Sequence, residues 1–322
     1  MDNTCRDGGS MSANAELRFL VNPVGMCADI GAHFLTRCFA TRWTEAMCRW
    51  YLQRPFADES PDRLILVDDK KVVAGCGLAY RLLRTPDAVL HPVSVVVAAC
   101  TEPGERGRGC YARLLEGAIE RSASRGCTAL LGFVTADNAT GRGLVRLGAT
   151  AVPSAYIFSA GRLSASRTST LGLCIAPVSD TWPTRAGARL HSLPGEAGFH
   201  YPDVRSWRSQ MVERPHSIQS LCVGRSSRAL LEQVGDTDRL QWLDATARER
   251  VAAIRTLASY ARRRRQNFFM YSTRPDDAAA ARRIGLSVRP GFMMALAPES
   301  RHEPTVRGWA RLSWHVQSGD RL

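Results

Sequence analysis

The feature that most restricts the fold is an internal similarity between two distant segments. "LVRLGATAVPSAYIFSA" around Gly148 resembles "AARRIGLSVRPGFMMALA" around Gly285, and the two glycines lie 137 residues apart. At the same spacing, the helical pattern "LLEGAIERSAS" falls on "VAAIRTLASYA" and the strand pattern "CTALLGFV" on "RRQNFFMY". A fixed spacing that carries strand, helix, strand, helix and strand predicts a duplicated unit. Chance similarity between two amphipathic segments is the alternative.

The apolar patterns of the first unit predict a regular series of elements. They predict a strand at "ELRFLVNP", helices at "GAHFLTRCF" and "TEAMCRWYLQRP", and a hairpin of "RLILV" and "VVAGCGLAYRLLR" around the polar turn "DDKK". The strand "VLHPVSVVVAACT" then precedes a glycine-rich loop, a helix over residues 112–124, the strand "CTALLGFV", the short helix "TGRGLVRLG" and the strand "SAYIFSA". This order predicts an α/β (α+β) fold with a mixed sheet.

The boundary between the two units is predicted from composition. The small polar residues "GRLSASRTST" at 161–170 are typical of a linker. We therefore expect a disordered tail over residues 1–14, a first domain over 15–160, a linker over 161–172 and a second domain over 173–322. For the C-terminal segment "RGWARLSWHVQSGD", a final edge strand is favoured over a segment that closes a pocket.

The segment "CTEPGERGRGCY" at residues 100–111 is the best candidate for a ligand site. Glycines between a strand and a helix let backbone amides approach an anion such as a phosphate. A P-loop is excluded because it requires a lysine that this turn lacks. A dinucleotide fingerprint is matched by Gly107, Gly109 and Ala112, but "TEPGER" separates the strand from Gly107 and the acidic residue, Asp137, comes too late. A tight turn without a ligand is a further alternative.

This stretch resembles the acyl-coenzyme A loop of the GNAT superfamily of N-acetyltransferases, whose pattern is R/Q-x-x-G-x-G/A. Arg106 and Gly109 match the pattern, and Tyr111 departs from it at the last position. Downstream, Asn138 matches the asparagine that follows the next strand, and "RLG" at 146–148 matches the turn after it. The resemblance covers about residues 15–160 and implies a mostly antiparallel sheet flanked by helices. The second unit resembles a degenerate copy of this fold.

The resemblance implies that acetyl-CoA, or another acyl-CoA, is the cosubstrate and that no metal is needed. The residues expected to bind it are Ala99, Cys100, Thr101, Arg106, Gly107, Arg108, Gly109, Cys110, Tyr111 and Asn138. In the second unit, "QWLDATARE" at 241–249 falls on the loop and contains no glycine. Asp244 or Thr246 could still start a helix there as an N-cap. We therefore expect one coenzyme site, in the first half.

The resemblance also implies direct transfer of the acyl group to a primary amine of a small molecule or a sugar. Glu102 is the candidate general base, and Tyr156 is the candidate acid that protonates the leaving thiolate, with Tyr111 as a second choice. The position of the family's tyrosine falls near Leu144 or Val145, so that residue is missing. A protein that binds acyl-CoA as a regulator or scaffold, without catalysis, is therefore the alternative function.

Charge and cysteine content restrict the other classes of function. The net charge is +13, but Lys70 and Lys71 are the only lysines, and the arginines are spread along the chain. The one dense run, at 262–265, ends a predicted helix, so nucleic-acid binding is not favoured. The ten cysteines lack the spacing of a zinc site. No apolar run is long enough to span a membrane, and the polar N-terminus lacks the apolar segment of a signal peptide, so we expect a cytoplasmic protein with reduced thiols.

Overall fold

The computed structural model describes residues 17–25, 28–69, 71–159, 173–175 and 195–321. The tail expected at residues 1–14 and the linker expected at 161–172 lie outside these ranges.

Every strand and helix predicted for the first unit is present. The unit contains β1 (Arg18–Val21), α1 (Ala28–Phe39), α2 (Glu45–Leu52), β2 (Asp62–Asp68), β3 (Lys71–Arg84), β4 (Leu90–Thr101), α3 (Cys110–Ser124), β5 (Ala129–Thr135), α4 (Ala139–Arg146) and β6 (Thr150–Phe158). The described part of the second unit contains β7 (Leu173–Ile175), β8 (Gly198–His200), α5 (Val204–Met211), β9 (Ser217–Val223), β10 (Ser227–Val234), β11 (Thr237–Asp244), α6 (Ala247–Arg263), β12 (Asn267–Ser272), α7 (Pro275–Arg283), β13 (Ser287–Leu296) and α8 (Glu303–Gly308).

The strands form one sheet in the order β1-β2-β3-β4-β5-β13-β6-β12-β11-β10-β9-β7, with β8 paired to β3. The pairs β4–β5 and β11–β12 are parallel, and the other pairs are antiparallel. The predicted fold, a mixed and mostly antiparallel sheet flanked by helices and duplicated in two halves, is therefore confirmed.

The two units exchange their last strands. β13 of the second unit lies between β5 and β6, and β6 of the first unit pairs with β12. Their first residues, Thr150 and Ser287, keep the spacing that the sequence showed. Because the two units share this spacing and the same order of elements, the structure favours duplication over chance similarity.

The two faces of the sheet are covered differently. The helices α3 and α4 cover one face in the first unit, and α6 and α7 cover the corresponding face in the second. The other face, here called the tail face, is covered by β8, α5 and the C-terminal segment after β13. Alternation along β6 illustrates this, because Ile157 packs with the α6–α7 core while Tyr156 packs on the tail face.

The C-terminal segment does not form the edge strand that was favoured from the sequence. After α8 it makes short 3-10 turns and two isolated bridges, Ala197 with Trp314 and Ser272 with Gln317. Trp309 and Trp314 are both buried, and the Trp314 indole donates to the Trp309 carbonyl at 2.9 Å. The segment is therefore part of the hydrophobic core. Burial of two tryptophan side chains stabilises this arrangement more than pairing at the edge of the sheet would.

Candidate active site

A gap opens between β4 and β5. The two strands pair only where Val93, Ser94 and Val95 face Ala129, Leu130 and Leu131, although both strands continue beyond this point. A bulge at Ala98, whose φ is 50°, bends β4 just after the pairing ends. Within the described sheet, the side of β4 that faces β5 has no strand partner after Val95. Ala99, Cys100 and Thr101 therefore lie in the part of β4 that borders this gap.

A cavity of about 60 Å³ continues the gap toward the helices. Its walls include Val96 of β4, Phe133 of β5, Tyr111 of α3, and Thr140 and Leu144 of α4. Most of these side chains are apolar, so the cavity suits a narrow, mostly apolar chain better than a charged group.

The glycine loop presents a run of free amides beside this gap. Gly107 and Gly109 have φ values of 85° and 75°, and Gly109 is the N-cap of α3. An added Cβ at either glycine would meet nothing within 4 Å, so their backbone is open to a ligand. No backbone amide from Gly107 to Ala112 donates to an acceptor among the residues that the structure describes. Such amides at a helix N-terminus favour a phosphate.

The two loop arginines differ in how they are held. Arg108 forms an ion pair with Asp68 at 2.9 Å and a second one with Glu105. Arg106 donates to the backbone carbonyl of Cys38 at 3.3 Å and has no carboxylate partner in the described part of the chain. Its positive charge is therefore not neutralised locally, which makes Arg106 the better candidate to contact a phosphate.

Glu102, the candidate base, is held by an arginine of α1. Its two carboxylate oxygens accept bonds of 3.1–3.3 Å from Arg37. This hydrogen bond raises the pKa of Arg37, against the opposing effect of its slight burial. An amine would have to displace Arg37, or act through water, in order to reach the carboxylate.

The other residues expected to bind the coenzyme lie near the gap, but most of them are buried or form contacts within the protein. The Asn138 side chain caps α4 by accepting from the Thr140 amide at 2.8 Å, which leaves less of it for a ligand. Tyr111 lines the cavity, and burial raises its pKa, an effect that Thr140 offsets only in part. Cys110 is buried at the start of α3. Cys100 is also buried, and the neighbouring Cys38 thiol and burial both raise its pKa.

Tyr156 lies across the sheet from the cavity, on the tail face. Its ring extends over Gly291, which pairs with Thr135 at the end of β5. An added Cβ at Gly291 would overlap this ring and lie 2.9 Å from the Val134 carbonyl oxygen. Burial raises the pKa of Tyr156, and Arg321 partly offsets the effect. The tyrosine thus stays protonated at neutral pH, as an acid must.

The second unit has no comparable loop. Only Ala245 and Thr246 separate β11 from α6. Thr246 is the N-cap of α6, and it is one of the two residues predicted for this position from the sequence. The Thr246 side chain accepts from the Glu249 amide, and its hydroxyl donates to the Glu249 carboxylate at 2.8 Å. This cap takes up the amide of Glu249, whose equivalent in the first unit, the amide of Ala112, is free.

The gap between β11 and β12 is also occupied, by the chain itself. These strands pair only up to Leu240 and Met270. Beyond that point the residues 316–321, here called the tail segment, lie between them. The amide of Leu243 donates to the Gln317 side chain at 2.8 Å, the amide of Tyr271 to the Ser318 hydroxyl at 2.8 Å, and the amide of Thr273 to the Val316 carbonyl at 3.2 Å. The tail segment therefore takes the place that an inserted ligand arm would need.

Sequence reasoning missed Arg37, Cys38 and the whole role of the tail segment. No local pattern marks Arg37 as the partner of Glu102, because the contact joins residues 65 positions apart in a chain rich in arginine. The described residues include no group of three or more histidines, cysteines or acids that could hold a metal ion. Nor does any described helix have both the length and the apolar character that a membrane span requires.

Comparison with known proteins agrees with this geometry. Residues 31–149 match the model of the acetyltransferase (GNAT) family, so the first half of the chain carries a GNAT domain and the predicted resemblance is confirmed. Proteins of this family use acetyl-CoA as a cosubstrate and transfer its acyl group to an acceptor. No curated protein sequence matches the chain.

Several solved structures are similar in fold. A tandem GNAT protein from the clavulanic acid biosynthesis pathway aligns with a TM-score of 0.62 and 13% identity, over 88% of this chain and 99% of that one. A GCN5-related N-acetyltransferase from Anabaena variabilis aligns with a TM-score of 0.59 and 13% identity, over 88% of this chain and 74% of that one. Another GCN5-related N-acetyltransferase, from Sphaerobacter thermophilus, aligns with a TM-score of 0.56 and 13% identity, over 87% of this chain and 96% of that one. The likeness to a tandem protein extends the shared fold across both units.

Proposed function

We propose that this protein is an N-acyltransferase that moves an acetyl or other acyl group from coenzyme A to a primary amine of a small molecule or sugar. The observation that supports this most directly is the run of free amides from Gly107 to Ala112 beside an open gap. In the second unit, the protein itself fills the equivalent gap, and the equivalent helix start has no glycine and is capped by Thr246. One site per chain is therefore expected.

Each part of the first site has a role in this proposal. The loop amides and Arg106 bind the pyrophosphate, and the pantetheine arm lies along Ala99–Thr101 in the gap. An amide of β4 donates to the thioester carbonyl and stabilises the oxyanion that forms when the amine attacks. The amine loses a proton to Glu102, directly or through water. The thiolate that leaves takes a proton from Tyr156.

Calorimetric titration with acetyl-CoA tests the binding step. Gly109→Trp places a large side chain among the free amides, so we expect it to abolish binding. Gly126→Trp is the matched control, because Gly126 also has a positive φ, of 66°, and open space around it, but lies at the far end of α3. Equal affinity in the wild type and Gly109→Trp, or no binding of any acyl-CoA, would remove the loop from the proposal.

A screen of amine acceptors that follows thiol release tests the transfer step. The alternative is a protein that binds acyl-CoA without catalysis, and two observations favour it. Leu144 and Val145 stand where the family has a tyrosine, and both oxygens of Glu102 are occupied by Arg37. Binding of acetyl-CoA without thiol release for any amine would favour this alternative, whereas amine-dependent release supports the enzyme.

A further inference from the structure

The tail segment ends in an arginine that is surrounded by aromatic rings. The guanidinium carbon of Arg321 lies 4.7 Å from the ring centre of Tyr271, 5.1 Å from Tyr156 and 5.7 Å from Phe269. Tyr271 is fully buried, whereas Arg321, Tyr156 and Phe269 are partly exposed. The ring cage, defined as these three aromatic residues, is therefore open to solvent on one side.

Arg321 has no acidic partner among the residues that the structure describes. Its Nε is buried and has no hydrogen-bond acceptor there. The neighbouring Asp320 accepts bonds from the Tyr201 hydroxyl at 2.7 Å and the Gln317 amide at 2.8 Å. The rings hold the guanidinium in place, but no anion is bound to it. Its planar N–H groups match the geometry of a carboxylate, so it is suited to bind one.

The ring cage lies on the tail face, next to Phe133 of β5, which is one of the two strands that border the gap. Phe133, a wall of the cavity, has its ring centre 5.5 Å from that of Tyr271, which in turn lies 5.2 Å from Tyr156. These side chains share the tail face of the sheet, opposite α3 and α4. A molecule that approached the gap from this face would therefore meet Arg321.

The groups on the other side of this approach are also mainly cationic. Tyr51 of α2 is half-buried, and burial raises its pKa; the charged groups that act on it include Arg214, Glu232, Arg239 and Arg321. The acid among them, Glu232, lies 3.2 Å from Arg214 and accepts from Gln241 at 2.6 Å, and a second acid, Asp320, acts on Tyr271 of the ring cage. Within the described residues, the cations of this region, Arg214, Arg239 and Arg321, therefore outnumber its acids, Glu232 and Asp320, which favours an anionic ligand.

We propose that Arg321 binds a carboxylate of the acceptor, so that the acceptor is an amine that also carries a carboxylate, such as an amino acid or a carboxylated amino sugar. The rings of Tyr156 and Phe269 contact the apolar part of the same molecule. This inference rests on the proposed function, since it assigns the acceptor of that same site. Arg321 acts here as a binding residue, and the tail segment positions it.

The test compares matched acceptors that differ only in the carboxylate, namely an amino acid, its amide and its decarboxylated amine. Thiol release with saturating acetyl-CoA gives kcat and KM for each acceptor, and calorimetry gives the binding of each acceptor alone. Arg321→Gln is compared with Arg307→Gln, which removes the same charge from an exposed arginine on α8 that pairs with Glu303. Arg321→Lys keeps the charge without the planar fork.

We expect a carboxylated acceptor to be used at least about 30-fold better than its amide, in kcat/KM. In Arg321→Gln this preference should vanish because KM rises for the carboxylated acceptor much more than for its amide, which a merely structural role would not produce. Arg307→Gln should keep the preference, and Arg321→Lys should keep part of it. A higher affinity for a phosphorylated amine would replace the carboxylate with another oxyanion and overturn the assignment.

The outcomes separate this inference from the proposed function. Transfer to amines with no preference for a carboxylate overturns the role of Arg321 and leaves the transferase intact. Binding of carboxylated amines that Arg321→Gln abolishes, without thiol release for any acceptor, supports the site and overturns the transferase. An unchanged preference in a well-folded Arg321→Gln variant also overturns the inference.

Discussion

The backbone amide of Leu243 donates a hydrogen bond of 2.8 Å to the side-chain oxygen of Gln317. This contact joins β11 to the tail segment at the place where β11 and β12 part. The first unit has an equivalent gap, but no described segment of the chain fills it. In the part of the chain that the structure describes, the two copies of one fold thus differ in whether the gap is occupied.

Gly319→Ala should displace the tail segment. An added Cβ would lie 2.9 Å from the Gln241 carbonyl oxygen and would overlap the Met211 side chain. Because the backbone cannot yield easily, we expect a loss of about 1–3 kcal/mol in the free energy of unfolding. Urea denaturation measures it. Gly308→Ala is the control, since it faces open space in α8, and equal stability of the two variants would contradict the close packing.

Glu102→Gln should lower kcat by about 100-fold if Glu102 receives the proton of the amine. The affinity for acetyl-CoA should not change, because Glu102 lies at the end of β4 and outside the free amides of the loop. Steady-state kinetics and calorimetry check the two expectations. Glu120→Gln, on the exposed surface of α3, is the control. Normal turnover in Glu102→Gln would rule this carboxylate out as the base.

Tyr156→Phe should lower kcat by about 10-fold to 100-fold, since it removes the proton that the leaving thiolate takes. The ring remains, so the contacts with Tyr271 and Phe269 persist and stability should change little. Tyr260→Phe removes a hydroxyl of the same kind from α6, where it bonds Gln219 at 3.2 Å, and should leave turnover unchanged. Equal rates in both variants would show that Tyr156 is only packing.

Asp320 should make stability depend on pH between about 4 and 6. Burial raises its pKa from 3.8 to about 6, although bonds with the Gln317 amide and Tyr201 oppose this. The folded protein therefore holds a proton that the unfolded chain releases. The free energy of unfolding should fall by up to about 3 kcal/mol as the pH rises through this window and then stay level. Asp320→Asn should abolish this part of the slope, so a slope that survives unchanged would assign it to another group.

Much of the first unit could be predicted from the sequence because its signals are local. The apolar periods, the turn "DDKK" and the glycines of the loop act over a few residues, and the structure has the elements that they indicate. The second unit was recognisable by its spacing, and the residue types gave Asp244 and Thr246 as N-cap candidates, of which the structure has Thr246.

The remaining features depend on contacts between distant residues, and local patterns do not reveal them. The hydrogen bonds that place β13 beside β5 join segments from opposite halves, and either neighbour would satisfy the same apolar pattern. Trp309 and Trp314 resemble strand residues by composition, yet they are buried under the sheet. Arg37 and Arg321 cannot be distinguished from the many other arginines until the fold brings them to Glu102 and Tyr156.

The exchange of last strands has a consequence for how the protein is made. A chain leaves the ribosome from its N-terminus, and β5 is complete at Thr135, whereas its neighbour β13 begins only at Ser287. Until then one edge of β5 is unpaired, and an unpaired strand edge can pair with the wrong strand. The half that holds the glycine loop therefore has to wait for translation of nearly the whole chain. A product that stops before Ser287 would lack a central strand, so truncation should leave no independently folded loop-bearing half.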